Sequence, residues 1–141
     1  MNKLFSSLTL AAIAAVVAPQ ALKADPPPHC FLGNAIMQGT YVANGTGTVI
    51  GVGPITAVTL IIYNGDGTGT VVFNTRSVNG TASTATNIPA NFTVNPDCTG
   101  SKTIGSTPFN FVITPDGSRI TWIRTDNGVT MSGTAIRLGR N

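Results

Sequence analysis

Beyond residue 36 the chain is broken again and again by Gly, Asn, Asp and Pro, and the short runs between the breaks are rich in Val, Ile, Thr and aromatic residues. After residue 25 no apolar series recurs at helical spacing for three turns. Short β-branched runs bounded by turn formers are the signature of strands. Strands are expected near 36–43, 48–53, 56–63, 68–78, 82–94, 101–105, 108–114, 119–126 and 129–138. Composition agrees. Charged residues make up 9%, Glu is absent, and the 141 residues include 21 Thr and 16 Gly. Such a balance excludes a coiled coil, a helical bundle and a charged disordered chain. The length suits one domain.

The connectors decide how the strands are joined. Asn64-Gly65-Asp66-Gly67 separates two strand runs, and Asp116-Gly117 and Asn127-Gly128 separate others. Such residues accept positive φ and close tight hairpins, so sequential strands should be antiparallel neighbours. Phe109, Phe111 and Ile113 share one strand face, and Ile120, Trp122, Arg124 and Asp126 share another. The Thr-rich opposite faces fit a pleated, solvated surface. The expected fold is all-β: an antiparallel up-and-down β-barrel of 8–9 strands, which leaves no free sheet edge. A small β-sandwich is the alternative.

Residues 1–24 read as a secretory signal peptide. Lys3 gives a positive start, Leu4 to Ala18 is uncharged and largely apolar, and a more polar tail ends at Ala24, with Ala21 as an alternative cleavage point. The apolar part is short for a membrane span. Residues 25–141 then form the single barrel domain. Without the leader, Arg76, Lys102, Arg119, Arg124, Arg137 and Arg140 face five Asp, so the formal charge of +3 nearly disappears. No dense basic stripe remains to neutralise phosphates, so nucleic acid is not an expected partner. Cys30 and Cys98, in an exported chain, are expected to form one disulfide.

Several phrases carry a resemblance. They are Gly39-Thr40-Tyr41, the stretch from Tyr63 to Gly69, the stretch from Phe92 to Gly100 containing Asn95-Pro96-Asp97-Cys98, and Phe109 to Ile113. The run Ile120 to Asp126, with Gly128 and Ser132-Gly133-Thr134-Ala135, completes the set. Together they resemble a family of small secreted bacterial proteins with a calycin-like β-barrel, over nearly all of residues 25–141. More remotely they are similar to allene oxide cyclase-like and lipocalin-like barrels. Gly39 and Tyr41 on the first strand, with Arg137 on the last, are similar to the lipocalin closure, in which a basic side chain covers a first-strand ring. Lipocalins usually place Trp there, and this chain has Tyr41. The resemblance implies the barrel and no particular ligand, because fold alone does not give function.

Reactive constellations are sparse. His29 is the sole histidine, so a Ser-His-Asp hydrolase and a zinc site both lack their parts. Asn64-x-Asp66-x-Thr68 is like the start of a calcium loop, but Thr75 stands where a bidentate Glu would be needed, and a hairpin explains the pattern. Asp97, between Asn95 and Thr99, is expected to cap a turn beside the disulfide. Gly45-x-Gly47 and Gly51-x-Gly53 have no helix behind them to cradle a phosphate. The acceptor pattern for N-glycosylation at Asn44, Asn79 and Asn91 arises readily in so Thr- and Asn-rich a chain. No cofactor or metal is expected.

Three functions stay open at this point. The first is a binding module whose lumen takes a small apolar molecule, lined by Tyr41, Tyr63, Phe109, Phe111, Trp122 and Met131, with Arg124 as the polar anchor. The second is a cyclase or isomerase resembling the allene oxide cyclase barrel, working by orientation. The third is a surface or matrix protein with a filled interior and no ligand. Arg124 is expected either to be buried beside Trp122 and paired with Asp126, or to sit at a barrel mouth with its head in water. After cleavage of the leader no stable membrane insertion is expected.

Overall fold

The computed structural model describes residues 28–140; the predicted signal peptide lies outside the described residues. Nine strands follow one short 3-10 helix, Gly33–Met37: β1 Gly39–Val49, β2 Gly53–Tyr63, β3 Thr68–Val78, β4 Thr81–Ala85, β5 Ile88–Val94, β6 Thr99–Ile104, β7 Thr107–Ile113, β8 Arg119–Arg124 and β9 Val129–Gly139. Every pairing is antiparallel, in the order β2-β1-β9-β8-β7-β6-β5-β3, and a β2–β3 ladder joins the ends. The result is a closed eight-stranded, up-and-down barrel. It is not a sandwich. The ninth strand, β4, lies outside the closure and extends β3 through Asn74–Val78, while β5 takes the other end of the same edge at Thr68–Val71.

Two expected strands are divided differently, and several ends shift by a few residues, with β8 stopping at Arg124 so that Asp126 lies in the turn after it. The runs 36–43 and 48–53 are not separate strands, because β1 passes unbroken through Gly45 and Gly47. Ile36 and Met37 belong instead to the 3-10 helix, where both are buried. The expected single strand 82–94 is two, because Asn87 adopts φ 56° between β4 and β5. That value reverses the chain direction locally, and Asn is one of the few residues that tolerates it.

The barrel has a closed end and an open end. At the closed end Ile36 and Met37 cap the lumen, and the plug is fastened by a disulfide and by hydrogen bonds. Cys30 is disulfide-bonded to Cys98, the Cys30 N–H donates to Pro96 O at 2.8 Å, and the Val94 N–H donates to Asn34 Oδ1 at 2.9 Å. Three hairpins at this end use one recurring device. Asp66, Asp97 and Asp116 each accept from the backbone N–H and hydroxyl of the residue two further on, namely Thr68, Thr99 and Ser118. These bonds favour the ionised carboxylate. The hydroxyls of Thr68 and Thr99 hold Asp66 and Asp97 below the usual range, and that of Thr114, followed by Ser118, holds Asp116 at about 2. The calcium-loop pattern at Asn64-x-Asp66-x-Thr68 is thus a turn, as is Asp97 between Asn95 and Thr99.

Arg137, register partner of Tyr41, lies at the same end and donates to the backbone oxygens of Ile36 and Asp116. The Tyr41 hydroxyl donates to Gly117 O at 2.6 Å. Gly39, Tyr41 and Arg137 therefore meet where the first and last strands close the barrel onto its plug. No helix among the described residues is long and apolar enough to cross a membrane.

Candidate functional site

Alternation along each strand sends one residue in two into the lumen. Near the closed end those residues pack solidly: Tyr41 meets Tyr63 edge to face at 5.4 Å between centroids, and Tyr63 meets Phe92 at 5.0 Å. Higher up the packing opens. A cavity of about 140 Å³ lies between the aromatic floor and the open end. Engineered cavities of about this volume accept benzene. Ile55, Ala57, Thr59 and Ile61 of β2 form one wall, and Phe109, Trp122 and Met131 form the opposite one.

The expected lining residues divide. Tyr63, Phe109, Trp122, Arg124 and Met131 line the cavity. Tyr41 and Phe111 are buried nearer the closed end, outside it. Arg124 combines the two positions considered for it. It faces inward near the mouth, and its Nε and Nη2 both donate to the Asp126 carboxylate, the first at 2.8 Å. Those bonds, more than the charge alone, hold Asp126 below the usual carboxylate range.

Trp122 is where it is because two glycines leave room. A Cβ on Gly45 would stand 2.3 Å from the indole Cη2, and one on Gly133 would stand 2.6 Å from Cζ2. The indole therefore lies against bare backbone of β1 and β9, with its edge meeting Phe109 at 5.4 Å. Gly45→Ala is expected to cost about 1–3 kcal/mol through overpacking. It should also shift the emission of Trp122, the only Trp of the chain. Urea unfolding followed by fluorescence checks both, and unchanged midpoint and emission would contradict this packing.

Sequence reasoning passed over Lys102. It is the one buried charged side chain among the described residues, 5% exposed, and it points into the lumen from the middle of β6. Its Nζ donates to the Tyr63 hydroxyl at 3.1 Å. The ring centroids of Phe109, Tyr63 and Trp122 lie 5.5, 5.8 and 5.8 Å from it, within reach of cation–π attraction. Among the described residues no carboxylate is ion-paired with it. Burial lowers its pKa to about 8, since an ammonium is disfavoured in apolar surroundings. Burial also pushes the Tyr63 phenol well above its ordinary value, with the neighbouring Tyr41 adding to the effect. The signal in the sequence was parity: Lys102 shares its strand face with Gly100 and Ile104, while Ser101 and Thr103 form the other.

No protein-family model, curated protein or solved structure matches the chain. The site is therefore read from its own geometry. The Trp122 indole N–H is buried without an acceptor. No cluster of His, Cys, Asp or Glu among the described residues could hold a metal ion. The exposed ring of His29 stacks on Phe31 at 5.0 Å. A second, more open depression lies outside the barrel over β6–β9, lined by residues such as Ser101, Asn110, Thr121 and Ile123, with no charged side chain. Among the described residues the buried charge and the rings around it lie in the lumen.

Proposed function

We propose that this protein is a secreted binding module that holds a small, largely apolar molecule inside its barrel. The observation that carries the reading is the 140 Å³ cavity, walled by Ile61, Phe109, Trp122 and Met131. A barrel of this size is able to fill its interior with side chains or to leave room for one small ligand. Here Ala43 and Ala57 line the cavity with small side chains, and Gly45 and Gly133 let the Trp122 indole lie back against the backbone. The disulfide and the leader-like residues 1–24 support export, and the phrases quoted above support kinship with small secreted bacterial barrels.

Toluene is a suitable first probe because it matches the cavity in size and carries no charge. It is expected to raise the melting temperature, since a ligand bound only to the native state stabilises by about 2.7 kcal/mol at a hundredfold excess over Kd. It should also perturb Trp122 fluorescence. Ala57→Leu, which places a larger side chain into the cavity wall, should abolish both effects. No thermal shift and no fluorescence change with the native protein would overturn the reading.

A further inference from the structure

The cavity draws cations from the chain and no acids, while the closed end holds charges of both signs, Arg119 and Arg137 beside Asp116. Of the six cationic side chains among the described residues, Arg76, Lys102 and Arg124 line one cavity, and no acidic residue lines it. Asp66, Asp97 and Asp116 sit in turns at the opposite end, each occupied by its own hairpin. Asp126 alone is near the mouth, and it is engaged by Arg124.

Hydrogen-bonding groups in the lumen show the same imbalance. The Lys102 ammonium has three protons, and Tyr63 Oη takes one of them. At the mouth Arg76, opposite Ala57, uses its Nε on Ser83 Oγ at 3.3 Å. Thr59 donates to Asn74 Oδ1 at 2.9 Å, so even that acceptor is engaged. A lone ammonium in such a place is costly unless it is paired. The described residues supply it with rings and a phenol, and no anion.

From this arrangement we infer that the lumen takes a small organic carboxylate, its charged group on Lys102 and its apolar body between Phe109, Trp122 and the β2 wall. The inference rests on the lumen-binding reading above and specifies the ligand class. Volume decides against a long acyl chain, because 140 Å³ holds roughly one aromatic ring or a short branched chain. The apolar lining decides against a small inorganic anion, which would exchange a full hydration shell for few donors. Arg76, nearer the mouth and not paired with a carboxylate among the described residues, biases the approach of an anion.

The test compares benzoate, benzyl alcohol and toluene on the full disulfide-bonded protein, read by Trp122 fluorescence and thermal shift at pH 6.5. Benzoate is expected to bind at least tenfold more tightly than benzyl alcohol, and Lys102→Met should remove that preference while leaving toluene binding in place. Lys102→Arg should retain part of it. Benzoate affinity should also fall as pH rises through about 8, where Lys102 loses its proton; Arg76, Tyr63 and Arg124, itself paired with Asp126 outside the lining, are the other charged or titratable groups facing the site. Equal affinities for benzoate and benzyl alcohol, or benzoate binding undiminished in Lys102→Met, would overturn the carboxylate inference and leave the cavity reading standing. Failure of toluene as well as benzoate would overturn both.

Discussion

Replacing Lys102 by Met is expected to make the ligand-free protein more stable at pH 7, by about 2 kcal/mol. Two effects set the figure. Burial lowers the lysine pKa from 10.5 to about 8, and a tenfold weaker hold on the proton is worth about 1.4 kcal/mol, so the charged form weakens the fold by about 3 kcal/mol at neutral pH. Losing the bond to Tyr63 Oη returns about 1 kcal/mol of that gain. The pH dependence is the sharper readout. Because the native pKa is below the unfolded one, the native state binds fewer protons between about 8 and 10.5, and stability rises with pH across that window. Tyr63 and Tyr41, both raised by burial, act the other way above pH 10, where the unfolded chain ionises and the native one does not. Urea unfolding at pH 7 and 9.5 should therefore show the native sequence gaining about 2 kcal/mol, and Lys102→Met gaining almost nothing. Equal stability of the native sequence at the two values would show that Lys102 is not held in an apolar lumen.

That a chain with so few charges keeps one where it weakens the fold is the strongest sign of a site. Structural charges of this kind are normally paired, as Arg124 is with Asp126. Among the described residues Lys102 has a phenol and three rings, and no carboxylate. A bound carboxylate would complete the pair and recover the lost stability through binding.

Much of the barrel was legible because its rules are local. The turn residues at 64–67 and the flanking alternation place β3 at the bounds observed, Thr68–Val78, and inward parity for Phe109, Phe111, Ile113 and Trp122 follows from the same period. β1 was not legible across Gly45 and Gly47. Glycine weakens a strand, and what calls for it here is distant in sequence: an indole from β8 against Gly45 and the β9 backbone against Gly47. Lys102 failed for a related reason. Parity put it beside Ile104, but whether that face is dry depends on Tyr63, Phe109 and Trp122 converging from three other strands. The division of the predicted lining, with Tyr41 and Phe111 outside the cavity, depends on height along the barrel axis. That height is set by strand stagger, which no single strand encodes.

Replacing both Cys30 and Cys98 by Ser is expected to cause the largest loss, about 4 kcal/mol, for a loop closed across 68 residues. Much of the loss arises in the unfolded chain, whose freedom the crosslink restricts. A second part is local to the closed end. The disulfide holds the segment whose Ile36 and Met37 cap the lumen, and hydrogen bonds also tie that segment to the barrel, among them Cys30 N–H to Pro96 O, Val94 N–H to Asn34 Oδ1 and Arg137 Nη1 to Ile36 O. Once the covalent tie is gone, the cap should open more often than the barrel unfolds. Hydrogen exchange separates the two effects. The amides at positions 30 and 94 should lose protection well beyond the global change, while Phe111 and Trp122, on central strands, should follow global stability. An unchanged urea midpoint in the double Ser variant would contradict the crosslink's role. Uniform loss of protection would show that cap and barrel open together, so that the closed end of the lumen is as firm as its walls.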